Sequence, residues 1–108
     1  MDAIAKQQFI QARAIERKIK WSSHALGELA PEGLGVDQIE SALERAQVIE
    51  DYPHAHRYLP DCLILAFTEP HRPVHAVVAI NEPSDYILIV TVHTPKREEW
   101  QDDWRTRQ

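Results

Sequence analysis

Three short apolar runs in the second half of the chain limit its fold more than any other feature of the sequence. They are CLILAFT (62–68), VHAVVAI (74–80) and YILIVTV (86–92), all rich in the β-branched and aromatic residues that favour strands. The links between them, EPHRP and NEPSD, consist largely of turn-forming and polar residues and are short. Short links join antiparallel neighbours, so the runs predict a sheet built from successive hairpins.

The first half of the chain has the spacing of helices. Residues 2–17 lack glycine and proline and predict an N-terminal helix. Ser22 or Ser23 can cap a second helix from about His24 to Ala30, which Pro31 and Gly33 then end. GVDQIESALERAQ, with apolar residues at i, i+3 and i+4, predicts a third.

Two shorter patterns complete the predicted architecture. QVIED predicts one more strand, and Trp100 and Trp104, four residues apart, predict a short closing helix. The expected fold is therefore α+β, with two to three N-terminal helices on a four-stranded antiparallel sheet and a short C-terminal helix. We expect residues 1–18 to be a helical extension and residues 19–108 to form a single domain.

Composition narrows the class of protein. The chain has 108 residues, 44% hydrophobic and 27% charged, which is typical of one globular domain. It has no 18-residue apolar span and no secretory signal, so we expect a cytoplasmic protein. The single cysteine, Cys62, excludes an internal disulfide, and its place in an apolar run predicts an unreactive buried thiol. A net charge of −5 argues against non-specific coating of nucleic acid.

His75 is the polar residue that stands out within these apolar runs. If EPHR and NEPSD are four- and five-residue loops, Thr68 pairs with Pro73 and Ile80 with Tyr86, which places His75 opposite Thr91. The helices should then cover one face, and His75 should share the other with Thr91 and His93. The predicted helix-covered face holds Leu63, Leu65, Phe67, Val74, Ala76, Val78, Ile80, Leu88, Val90 and Val92. The predicted His75 face also holds Cys62, Ile64, Ala66, Thr68, Val77, Ala79, Ile87 and Ile89.

Two interpretations of His75 stay open. A histidine in an apolar strand can be a buried structural residue that is hydrogen-bonded to the backbone or to a hydroxyl group. With Thr91 and His93 on the same face, it can equally be a proton donor or acceptor near neutral pH.

The loop HAHRY supplies further candidates. His54 and His56, two residues apart, could bind a metal ion, but no third ligand lies at a fixed spacing from them. His75 could supply the third ligand from the neighbouring sheet. Arg57 and Tyr58 could bind a phosphate and stabilise the charge of a transition state, or could be an exposed arginine and a packing tyrosine.

His24 is a candidate because of its position at a helix start. Backbone N–H groups of the first turn and the His24 side chain could together bind an anion. The alternative is a polar residue on an exposed first turn.

Longer stretches of the chain resemble a known family. WSSHALGELAPEGLGVDQIESALERAQVIEDYP, YLPDCLILAF, RPVHAVVAI and YILIVTVHTP, over about residues 19–104, resemble the family called domain of unknown function 4258. That family is grouped with the RelE-like and barnase-like small toxins, whose fold is two helices on a four-stranded antiparallel sheet. Its members often accompany zinc-ribbon antitoxins of the kind paired with the MqsR toxin.

The resemblance implies a function and a set of residues. It implies the toxin of a type II toxin–antitoxin system, a metal-independent endoribonuclease that needs no cofactor. RNA would be its substrate, and an antitoxin with paired C-x-x-C motifs its partner. The matching positions are His24, Tyr58, His75 and Thr91, with Arg57 near a variable polar position of the family.

These residues suggest a mechanism in which a ribose 2′-hydroxyl attacks the adjacent phosphate. His75 and His24 would exchange protons, Arg57 would stabilise the phosphate, and Tyr58 or Thr91 would position it. The chain carries Glu28 and Glu32 where the family usually has arginines. A non-catalytic protein-binding module with the same fold is therefore the alternative.

Overall fold

The computed structural model describes residues 1–52 and 59–108. They form a five-stranded sheet with helices packed on one face. The fold is α+β, as the sequence predicts. Its elements in chain order are α1 (Ala3–Ile15), β1 (Ile19–Trp21), α2 (Ser23–Glu32), α3 (Val36–Leu43), β2 (Gln47–Tyr52), β3 (Asp61–Thr68), β4 (Arg72–Asn81) and β5 (Tyr86–His93).

The sheet is mixed, and in this respect the prediction of four antiparallel strands is wrong. The strand order is β1-β5-β4-β3-β2, with antiparallel pairing from β2 through β5. The short strand β1 adds a fifth, parallel to β5, with Ile19 beside Ile87. Helices α2 and α3 lie between β1 and β2 in the chain and make the long connection that lets β1 reach the far edge.

The predicted strand register is displaced by one residue at both hairpins. Thr68 pairs with Arg72 rather than Pro73, and Asn81 rather than Ile80 pairs with Tyr86. A slip of one residue moves a strand's side chains to the opposite face. The helix-covered core therefore takes its β3 residues from Cys62, Ile64 and Ala66 instead of Leu63, Leu65 and Phe67.

The core lies between the sheet and the three helices. Its strand residues are Cys62, Ile64, Ala66, Val74, Ala76, Val78, Ile80, Ile87, Ile89 and Val92. Its helix residues include Ile10, Ala14, Ala25, Leu29, Ile39, Ala42 and Leu43. For β4 this is the predicted division of faces, so His75 points away from the helices.

Helix α2 has well-formed ends. Ser22 is its N-cap, since the hydroxyl oxygen accepts a hydrogen bond from the Ala25 amide at 2.9 Å. Gly33 ends the helix with φ of 67°, a conformation that glycine adopts without steric cost. The helix therefore continues through Pro31 and ends at Glu32, two residues beyond the predicted end at Ala30.

Helix α1 covers the free edge of β2. The amide of Val48 donates to Gln7 Oε1 at 2.9 Å, and Gln11 Nε2 donates to the carbonyl of Ala46 at 2.8 Å. These side chains satisfy backbone groups that an edge strand otherwise leaves open. The division into an extension of residues 1–18 and a domain of residues 19–108 stays a prediction.

The C-terminal segment, residues 94–108, is not the helix that the tryptophan spacing predicts. It consists of turns and one isolated bridge between Trp100 and Arg107. The Asp103 carboxylate accepts hydrogen bonds from the amides of Arg105 and Thr106 at 2.9 and 3.0 Å, a local pattern that competes with a helix. Trp104 then adopts φ of 61°, which a right-handed helix does not allow.

Among the described residues, no helix combines the length and apolar character that a membrane crossing requires.

Candidate functional site

The His75 side chain is fully buried on the sheet face opposite the helices. Its Nε2 lies 2.7 Å from the carbonyl oxygen of Trp104. A carbonyl only accepts hydrogen bonds, so Nε2 carries the proton and donates. The other ring nitrogen, Nδ1, is buried and has no hydrogen-bond partner among the described residues.

Aromatic rings enclose His75. The Trp100 ring stands edge-on to the imidazole with centroids 4.4 Å apart, and Trp100 is itself only 4% exposed. The His93 ring lies 5.7 Å away, also in an edge-on arrangement. Trp100 and Trp104 belong to the C-terminal segment, so this segment closes the site over His75.

The strand pairing places His93 directly opposite His75. Thr91 pairs with Val77, two residues along β4, because a bulge between Val77 and Val78 shifts the register. His75, Thr91 and His93 thus share one face, as predicted, although the residue across from His75 is His93 and not Thr91. Both Thr91 and His93 are half-buried.

Glu50 of β2 lies on the same face and links it to the C-terminal segment. It pairs with Leu63 across the strands. Arg107 donates to it from two nitrogens, Nε at 2.6 Å and Nη2 at 2.9 Å. The hydroxyl of Tyr52 donates to the same carboxylate at 2.7 Å. We call the group formed by Glu50, Tyr52, His75, Thr91 and His93 the His75 cluster.

The surroundings shift the pKa values of three members in defined directions. Hydrogen bonds from Arg107 hold the pKa of Glu50 below its usual range. Burial lowers the pKa of His75, so the neutral imidazole is favoured. Burial and the hydrogen bond to Glu50 raise the pKa of Tyr52 to about 12. The closed cluster therefore holds an ionised carboxylate and an uncharged imidazole.

His24 is not part of this cluster. It lies in the first turn of α2, and its imidazole reaches Glu28 Oε2 at 3.5 Å. Helix α2 packs on the opposite face of the sheet from His75, and the His24 side chain is exposed. The structure therefore does not bring the two predicted proton-transfer residues together.

Four residues predicted from the HAHRY loop lie outside the described residues. They are His54, His56, Arg57 and Tyr58. The proposed phosphate contact of Arg57 and Tyr58 stays a prediction, and so does the metal site of His54 and His56 with His75. In residues 1–52 and 59–108, no three histidine, cysteine or acidic side chains are grouped so that they could hold a metal ion.

Cys62 lies in the helix-covered core and is fully buried. Burial raises the pKa of its thiol to about 12. A thiol is a poor nucleophile in this state, because the thiolate is the reactive form.

The His75 cluster contains the groups that metal-free phosphate ester chemistry needs: a carboxylate that can accept a proton and imidazoles that can donate one once they are protonated. Sequence reasoning identified His75 and Thr91 but missed Glu50 and Tyr52. Their alternation in QVIEDY, with both side chains on one face of a strand, was the available signal. No pattern in the sequence indicated Arg107, since its contact with Glu50 depends on the path of an irregular segment.

One comparison with known proteins gives a match. The family described as domain of unknown function (DUF4258) matches residues 21–93, more than half of the chain. The matched range contains β1 in part, α2, α3 and the strands β2–β5, whereas α1 and the C-terminal segment lie outside it. No curated protein and no solved structure matches the chain.

Proposed function

Since this chain belongs to the DUF4258 family, we propose that it is a cytoplasmic toxin of a type II toxin–antitoxin system, a metal-independent endoribonuclease. The observation that carries the proposal is the His75 cluster, in which an ionised carboxylate and two imidazoles share one sheet face. Helices α2 and α3 on a sheet with four successive antiparallel strands also suit the RelE- and barnase-like fold that the family resemblance implies.

The cluster suggests a changed assignment of roles. Glu50 replaces His24 as the partner of His75, because His24 lies on the other side of the sheet. The Glu50 carboxylate takes the proton of the ribose 2′-hydroxyl, whose oxygen then bonds to phosphorus. The bond from phosphorus to the 5′ oxygen breaks, and a protonated His75 gives its proton to that oxygen. The products are a 2′,3′-cyclic phosphate and a 5′-hydroxyl end.

The remaining roles fall to neighbouring residues. Arg57, followed by Tyr58, supplies the positive charge at the phosphate, as the sequence predicts. Thr91 and His93, on the same face as His75, position the ribose and the phosphate. The partner is an antitoxin with a zinc-ribbon C-x-x-C domain.

A growth assay and an RNA assay test the proposal. Overproduction of the chain alone should arrest growth, and purified protein should cut RNA in the presence of a chelator. Glu50→Gln and His75→Ala should each lower the cleavage rate by about 10²–10⁴-fold, the usual contribution of a positioned acid or base. Glu44→Gln is the matched control, since Glu44 is the C-cap residue of α3 and pairs with Arg17 away from the cluster. Full cleavage by folded Glu50→Gln and His75→Ala would overturn the assignment.

A non-catalytic protein-binding module is the second candidate, favoured by the complete burial of His75 under the C-terminal segment. In that case His75 is a structural residue, RNA stays intact and overproduction is harmless.

A further inference from the structure

The C-terminal segment closes the His75 cluster by a small number of contacts. The backbone carbonyl of Trp104 accepts from His75, the Trp100 ring packs on the imidazole, and Arg107 binds Glu50. Arg105 adds a hydrogen bond to the side chain of Gln47. These contacts occupy the proton-donor nitrogen of His75 and both carboxylate oxygens of Glu50 at once.

The start of the segment is held firmly, since the Thr94 hydroxyl bonds with Arg72 and Glu32 and Pro95 is buried, but residues 96–108 are held weakly apart from these contacts with the cluster and Gln47. Residues 96–99, 101–103 and 105–108 are exposed, and Trp100 is the deeply buried side chain between them. Arg107 is largely exposed, and ion pairs of exposed arginines contribute little to stability. A segment with one aromatic anchor and exposed polar contacts can open without unfolding the sheet.

We propose that the C-terminal segment is a built-in cover, with the Glu50–Arg107 ion pair and the Trp100 ring as its two fastenings. The closed state is inactive, so the original chain cuts RNA only through the fraction of molecules in which the segment is open. This regulatory role rests on the proposed function, because it concerns the same site. Opening frees Glu50 from Arg107, releases His75 Nε2 from Trp104 and admits a substrate phosphate to the sheet face.

The closed state differs from an active one in a way that chemistry requires. A general acid must be able to direct its proton at the leaving oxygen, and a base must have an oxygen that the substrate hydroxyl can reach. In the closed state the His75 donor is committed to a carbonyl, and the Glu50 oxygens are committed to Arg107 and Tyr52. Proton transfer to RNA therefore needs the cover to lift.

The full-length chain tests this with one charge reversal. Arg107→Glu places two carboxylates where an ion pair stood and should open the segment. The probe is diethyl pyrocarbonate, which modifies accessible neutral imidazoles, with each histidine followed by peptide mass spectrometry. We expect His75 to be modified at least about fivefold faster than in the original chain, in keeping with the energies of exposed ion pairs. His24, already exposed, should not change.

Two further variants make the result specific. Lys96→Glu is the matched control, since Lys96 is an exposed cation of the same segment whose backbone carbonyl, and not its side chain, accepts from the amides of Glu99 and Trp100. It should leave the shielding of His75 intact. The exchanged pair Glu50→Arg with Arg107→Glu should return His75 modification to its original rate.

RNA cleavage separates this proposal from the proposed function. If Arg107→Glu exposes His75 and raises cleavage, both stand. If it exposes His75 and RNA stays intact in every variant, the cover stands and the endoribonuclease fails. If His75 stays shielded both in Arg107→Glu and in a folded Trp100→Ala variant, the cover is overturned.

Discussion

His75 and Trp104, which are 29 residues apart in the chain, are joined by a 2.7 Å hydrogen bond from the imidazole Nε2 to the main-chain carbonyl. The contact fixes the tautomer of a buried histidine and the path of the C-terminal segment together. Because the acceptor is a backbone atom, the bond does not depend on the side chain at position 104.

The buried imidazole should make stability fall in mild acid. Burial lowers the pKa of His75 in the folded state, whereas the unfolded chain keeps a value near 6.5. The unfolded state therefore binds the proton first, so stability is complete above about pH 6.5 and falls as the pH drops below that value. Urea titrations at pH 7.5 and 5.0 should show this loss.

Two substitutions assign that loss. His75→Gln should flatten the dependence between pH 7.5 and 5.0, because no group at that position then titrates. His24→Gln, at an exposed position, should keep it. A second fall should appear as the pH drops below about 4.5, because the folded state lowers the pKa of Glu50 through Arg107 and also the pKa values of Asp85 and Asp103. A His75→Gln curve as steep as that of the original chain would contradict the assignment.

The two tryptophans of the C-terminal segment should differ sharply in their effect on stability. Trp100 is 4% exposed against His75 and below Arg107, whereas the Trp104 side chain is half-buried and lies under Arg97. Trp100→Ala should lower the free energy of unfolding by about 3 kcal/mol, as for other buried aromatic residues. Trp104→Ala should cost about 1 kcal/mol. Equal losses in urea denaturation would show that the segment is not anchored at Trp100.

The sequence predicted the types of the elements better than their pairing. The apolar runs of β3, β4 and β5 have a β-branched composition that fits strands, and α3 has a clear helical stripe. Each hairpin loop is one residue shorter than its turn-forming residues predict. The side chains of β3 therefore lie on the opposite faces of the sheet from those predicted. His75 still shares its face with Thr91 and His93, as predicted, because the bulge after Val77 compensates for the one-residue displacement of β5.

The candidate site depended on contacts that local patterns do not encode. Trp100 and Trp104 have helical spacing. The Asp103 carboxylate, however, accepts hydrogen bonds from the amides of Arg105 and Thr106, and these bonds form a turn in place of a helix. The buried face over His75 then comes from an irregular segment, and no periodicity predicts its path. His24 and His75 lie on different sides of the sheet for a related reason, since helix packing decides on which side of the sheet a helix residue lies.

The structure also decides between two adjacent serines. Ser22 Oγ accepts from the Ala25 amide and donates to the carbonyl of Val90, both at 2.9 Å, so it caps α2 and ties the helix start to β5. Ser22→Ala should lower the free energy of unfolding by about 1–2 kcal/mol, because two backbone groups lose their partner. Ser23→Ala, at an exposed neighbouring position, is the control and should change stability by less than about 0.5 kcal/mol. The reverse order would place the cap at Ser23.

A buried ion pair attaches α1 to the rest of the fold. Lys6 is 1% exposed, pairs with Asp51 of β2, and donates from Nζ to the carbonyl of Asp61 at 3.1 Å. Lys6→Met should cost about 2–4 kcal/mol, because it leaves the Asp51 carboxylate and the Asp61 carbonyl without this donor. The value lies below the full cost for a deeply buried pair, since Asp51 is partly exposed.

A double variant separates the charge from the packing. If the loss comes from an unpaired carboxylate, Lys6→Met with Asp51→Leu should recover at least about half of it, since apolar replacement of both partners is often neutral. The measurement is a double-mutant cycle from urea denaturation, with α1 helicity followed by circular dichroism. Additive losses would mean that Lys6 acts through its alkyl chain and the Asp61 carbonyl alone. Recovery of stability in the double variant would show that packing as well as the ion pair holds α1 on the sheet edge. Helix α1 lies outside the family's matched range.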